Sequence, residues 1–165
     1  MDDRNRGRSA AQWFCLIVGA TLVVVGLLGF FAEAKFDTSA GGDPGALDGE
    51  NFLIFEVNGW HNIVHIASGL FLLALAGRHR TARTAALAFG AIYAVVTVIG
   101  LVDGHDVLGV LPVNPADNVL HILLTVAALA AGLVSDRDRR EVGPAADGRP
   151  FEPGSRAQSP TLQRR

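Results

Sequence analysis

The sequence predicts an all-α integral membrane protein, a four-helix bundle made of two tandem helical-hairpin repeats. Three observations carry that prediction. Four apolar stretches are each long enough to cross a bilayer, arginine gathers on one side of them, and a polar signature is written twice. Its first copy reads Val57-Asn58-Gly59-Trp60-His61-Asn62-Ile63-Val64-His65, and its second Val113-Asn114-Pro115-Ala116-Asp117-Asn118-Val119-Leu120-His121. Bulk composition hides this, because 165 residues that are 50% hydrophobic and 18% charged average an apolar body with a polar tail.

Residues 1–10 hold Arg4, Arg6 and Arg8 and form a short cytoplasmic segment. A transmembrane domain covers residues 11–134, with spans at about 11–32, 58–77, 84–102 and 115–134. A helix rises 1.5 Å per residue, so 19 to 22 residues give roughly 29 to 33 Å, the thickness of a ~30 Å hydrocarbon core. Buried helices of a soluble protein would need a large polar shell, which so short a tail does not supply. Ala32-Glu33-Ala34 has the look of a signal-peptidase site. The apolar run before it exceeds the roughly 7 to 15 residues of a signal peptide, so the first span is read as retained. Cys15, the single cysteine, lies inside that span and offers no disulfide. From Ser135 the chain turns to Asp, Arg, Gly, Pro, Ser and Gln without apolar periodicity, and residues 135–165 are expected to form a disordered cytoplasmic tail.

Orientation follows from the basic residues. Arg4, Arg6, Arg8, Arg78, Arg80, Arg83, Arg137, Arg139 and Arg140 flank the spans on one side, whereas the other side carries Lys35. Lys and Arg near span ends are held on the cytoplasmic side, which places both termini inside and both signatures at the outer face. The outer loops are acidic, with Glu33, Asp37, Asp43, Asp48, Glu50 and Glu56 before the second span and Asp103 and Asp106 before the fourth.

The signature copies are 56 residues apart, as in His65 and His121, while Gly19 and Gly29 precede Gly90 and Gly100 by 71. The difference falls in the long outer loop of the first unit, where insertions belong. Two units of two spans each share one orientation, so a pseudo-twofold axis along the membrane normal is expected. Small residues at Gly19, Gly26, Gly29, Ala67, Ser68, Gly69, Thr125, Ala127 and Ala128 would let the backbones approach closely.

On Val57-Asn58-Gly59-Trp60-His61-Asn62, His65, Leu111-Pro112-Val113-Asn114, Asp117-Asn118 and His121, the chain resembles a bacterial membrane family, domain of unknown function 4383. The resemblance spans about residues 11–134. It implies four spans in a bacterial inner (plasma) membrane and brings no activity with it.

Capping accounts for part of the signature. Asn58 and Asn114 suit N-caps, Pro115 the first helical position, and Asp117 the reach-back position of a capping box. Capping does not explain His65 and His121, about 10 Å below the caps. Asn58, Asn62 and His65 share a helix face, as do Asn114, Asn118 and His121. Three readings stay open for the cluster Asn58, His61, Asn62, His65, Asn114, Asp117, Asn118 and His121. In the first, it is structural or interactive, each Asn satisfying a His across the axis and pinning helix register. In the second, His61, His65, Asp117 and His121 hold zinc, iron or copper with Asn62 and Asn118 behind them, or His65 and His121 ligate a haem in a redox protein. In the third, the outer mouth, with Trp60 and the acidic loop, recognises a quinone, a lipid headgroup or a periplasmic partner. Trp60 and Trp13 also suit interfacial anchors, and His79 and His105 lie in loops as solvated residues. No nucleophile stands with a base and no glycine loop cradles phosphate, which turns the reading away from an enzyme. The expected partner is the lipid bilayer, with no nucleic acid and with a membrane or periplasmic protein as a further candidate.

Overall fold

The computed structural model describes residues 7–39, 47 and 49–141, the last six as backbone. Four helices make the body: α1 (Ala10–Gly29), α2 (Gly59–Leu75), α3 (His79–Asp103) and α4 (Pro115–Glu141). Helices α1, α3 and α4 reach membrane-spanning length and hydropathy; α2, at 17 residues, is a shorter apolar helix. Helix α1 ends at Gly29 and α2 at Leu75, short of the ends expected for the first two spans at about 32 and 77. Helix α4 runs past its expected end at 134 to Glu141, into what the sequence reads as tail. The expected tail beyond residue 141, Arg4 and Arg6 of the first segment, and Asp43 and Asp48 of the outer loop lie outside the described residues.

The surface of the bundle is apolar and its interior partly polar. Ile17, Val24, Leu27, Ile92, Val95, Val98, Val119, Leu123 and Val126 are exposed, while Asn62, His65, Thr97, Asn118 and His121 are buried. That inverts the pattern of a soluble protein. It is the arrangement in which lipid meets the side chains and polar groups face one another. The chain is a membrane protein.

Helix α1 packs chiefly on α2, and α3 on α4. Gly19 and Gly69 let the first pair close: a Cβ on Gly69 would stand 2.5 Å from the Gly19 carbonyl oxygen. At the end where α1 begins, polar groups at helix ends tie α1 both to α2 and to α4. Ser9 and Gln12 form a reciprocal capping box at the start of α1. The Gln12 amide also donates to Ala76 O at 3.2 Å and Gly77 O at 3.3 Å, satisfying carbonyls that α2 leaves open at its C-terminus. Ser135, fully buried, accepts the Ala11 amide at 2.9 Å and ties α1 to α4. The core between them holds Phe14, Leu72, Ala82, Ala85, Ala86, Phe89 and Ala128. Cys15 packs there, its thiol directed at Ala82 O.

At the opposite end, two small antiparallel hairpins that the sequence reading did not foresee precede α2 and α4. Strands β1 (Glu50–Phe52) and β2 (Phe55–Val57) pair with Phe52 opposite Phe55. Strands β3 (Asp106–Val107) and β4 (Leu111–Pro112) pair with Val107 opposite Leu111. Leu53 (φ 62°) and Leu108 (φ 60°) turn the chain in the left-handed region that tight hairpins require.

Candidate metal centre

The hairpins place the start of each signature helix, and they do so crosswise. Asn58 caps α2 by accepting the His61 amide at 2.8 Å, and its Nδ2 donates to Val110 O of the other hairpin at 2.9 Å. Asn114 accepts the amides of Ala116 and Asp117 at 2.8 and 3.1 Å, and its Nδ2 donates to Ile54 O of the first hairpin at 3.0 Å. Donors 58 and 114, and acceptors 54 and 110, are each 56 residues apart. A second crossed pair uses the same offset with its polarity exchanged. Asp117 Oδ2 accepts the Glu56 amide at 3.0 Å, whereas His61 Nδ1 meets Pro112 O at 3.2 Å. Residue 112 is a proline and has no N–H to give, so an acceptor at position 61 would find nothing. A histidine donating to the proline carbonyl closes the contact instead. Asp117 Oδ2 also takes the Asn114 amide at 2.9 Å, which completes the capping box.

One turn further in, Asn62 and Asn118 clasp the preceding helix. Asn62 Nδ2 donates to Glu33 O at 2.9 Å and Asn118 Nδ2 to Gly100 O at 3.3 Å. Their buried amide oxygens have no hydrogen-bond donor; one lies against Gly29 and the other against Gly100. Glu33 stands outside the helices. The Lys35 backbone amide beside it, at 2.9 Å, holds its carboxyl below the usual range.

The two asparagines are therefore spent on helix packing, and the expected network in which each Asn satisfies a His is not formed. Nor do they stand as hydrogen-bonded supports behind the imidazoles. What the structure brings together is His61, His65 and His121. Each offers a ring nitrogen, and these three atoms lie within 4.8 Å of one another, all in buried residues. The rings of His61 and His65 are 4.5 Å apart edge to face, and His121 lies 6.2 Å from His61 across the helix interface. Spacing explains the convergence: i,i+4 puts two imidazoles on one face of α2, and α4 presents the third from the facing wall. Asp117 is not among the three, its Oδ2 being engaged by the two amides above.

The Nδ1 atoms of His65 and His121 are buried with no hydrogen-bond partner, as is Thr125 Oγ1. His61 is oriented by the Pro112 carbonyl, so Nδ1 carries the proton and Nε2 keeps its lone pair. Below the cluster Tyr93 stands edge-on to His121 at 5.5 Å and stacks on Phe89 at 4.0 Å, which closes the site toward the core. Tyr93 was not singled out by sequence, and its only signal there is being the one tyrosine of the chain. Trp60 turns its indole N–H to Phe36 O at 3.2 Å and packs on the Phe36 ring, away from the imidazoles. Trp13 lies under the Arg8 guanidinium at 5.4 Å.

A sequence model of the family described as domain of unknown function DUF4383 matches residues 12–134, three quarters of the chain. The chain belongs to the DUF4383 family. No curated protein and no solved structure matches it. The matched region of this DUF4383 protein contains α1 from Gln12 onward, α2, α3, α4 as far as residue 134, both hairpins and the three histidines.

Proposed function

We propose that this DUF4383 protein is a four-span protein of the bacterial inner membrane that binds one transition-metal ion through His61, His65 and His121. The observation that carries the reading is the convergence of three buried imidazoles, two of which have an Nδ1 with no hydrogen-bond partner among the described residues. A buried polar atom left unsatisfied costs about 1–3 kcal/mol, and a bound ligand is one way in which that cost is met. Ligation through nitrogen at 2.0–2.1 Å in a tetrahedral site sets neighbouring donors roughly 3.3 Å apart, within reach of side-chain rotation from the observed spacing. Three neutral imidazoles suit zinc, copper or iron, with a fourth position open. A single ion fits better than a haem, because three ring nitrogens converge within 4.8 Å whereas a haem iron would use at most two of them.

Crossed contacts at one constant offset of 56 residues support a pseudo-twofold relation between two tandem units. The arginines beside α1, α2 and α3 support cytoplasmic termini, with the histidines near the outer face. Helix α2 then crosses as well, the second of four spans, its 17 residues extended by the hairpin above it.

Elemental analysis of protein purified in detergent is expected to give one zinc, copper or iron per chain, as isolated or after loading. Protein that stays metal-free after incubation with each ion would sink the proposal. Orientation has its own test in a Cys15→Ala background. Thr38→Cys is expected to react with an impermeant thiol reagent in intact cells and Arg80→Cys only after lysis; the opposite pattern reverses the topology.

A further inference from the structure

Resting on that metal-binding reading, we propose that Asp117 is a specificity-determining counter-charge that makes the tri-histidine site select a divalent ion over a monovalent one. Its carboxylate is buried at 2% exposure, one helical turn from His121 on the same face of α4. Two backbone amides, from Glu56 and Asn114, fix its Oδ2. Among the described residues no lysine or arginine bonds to it, and Lys35, the basic residue of this end, pairs with Glu33 at 3.3 Å. Capping alone does not call for a carboxylate here. Asn114 already supplies the N-cap oxygen, and at the equivalent place in the other half stands His61, with no acid at all.

Three histidines bring no charge to an ion, so whatever charge it carries enters a weakly polar interior uncompensated. Burying a charge there is costly unless an opposite charge stands by. A fixed carboxylate one turn of helix from His121 answers that need without occupying a coordination position. Its attraction grows in proportion to the charge on the ion, so a divalent ion gains twice what a monovalent ion gains. A purely capping role would treat both ions alike.

The test titrates metal-free protein in detergent with Zn(II) and separately with Ag(I), a redox-inert monovalent ion, for the wild type and Asp117→Asn. Asparagine keeps an oxygen for the two amides and loses the charge. Zn(II) affinity is expected to fall about tenfold and Ag(I) affinity about threefold, the square root of that factor. Asp117→Ser, whose hydroxyl also accepts an amide, gives the same comparison if Asp117→Asn does not fold. Equal falls for the two ions, or no fall for Zn(II), overturn the counter-charge. A wild type that binds neither ion overturns the metal site beneath it, and the inference with it.

Discussion

Gly29→Ala and Gly100→Ala are expected to be the most damaging single substitutions in the bundle, each lowering stability by about 3 to 5 kcal/mol. Both glycines lie where an asparagine amide from the partner helix rests on the backbone. A Cβ at residue 29 would overlap Asn62 Oδ1, and one at residue 100 would stand 2.5 Å from Asn118 Oδ1. The amides are short and their other ends are committed, to Glu33 O and Gly100 O. Relief of the overlap therefore means either separating the helices or breaking a buried hydrogen bond. Overpacking costs about 1–3 kcal/mol and an orphaned buried amide a similar amount, and here the two add. Gly77→Ala is the control, because a Cβ there meets nothing within 4 Å. Thermal unfolding in detergent followed by circular dichroism reads the difference. Melting of either variant level with Gly77→Ala would show that the clasp does not set helix spacing.

His65→Leu with His121→Leu is expected to abolish metal binding while leaving the metal-free fold at least as stable as the wild type. Most buried polar residues behave in the opposite way, since removing one strands its partner. Here the Nδ1 atoms of both histidines have no partner to strand. Leucine fills similar volume without a polar atom, and replacing a buried polar set by apolar packing is often neutral or stabilising. Metal then acts as a ligand of the native state alone: at a hundredfold excess over Kd it adds about 2.7 kcal/mol to the wild type and nothing to the variant. Melting curves of both proteins with and without Zn(II) give the four values needed. A metal-free variant that fails to fold would make the histidines structural.

The helices were legible because lipid imposes a simple rule on sequence: long apolar runs with polar residues only where they face protein. Asn58, Asn114 and Asp117 could be read as caps from residue type and position, and their bonds are of that kind. The partners across the bundle could not. Nothing in the sequence says that Asn58 Nδ2 reaches Val110 O or that Asn62 leaves His65 for Glu33 O, because those choices depend on how the helices cross. The hairpins were missed because strands of two or three residues are too short to show alternation, and their turns use leucine rather than asparagine or glycine at the first left-handed position. Ser135 reads as the start of the tail by composition, and only the approach of α1 gives its hydroxyl an amide to cap.

The crossed bonds between Asn58 and Val110 and between Asn114 and Ile54 mean that neither half of this chain can finish its own top. Severed at Gly77, each fragment would be left with an idle side-chain amide and a bare turn carbonyl. The two pieces would have to find each other before either became rigid. A bundle interleaved in this way is expected to melt in a single step, and His121 of α4 meets His61 and His65 of α2 only once the two halves have joined.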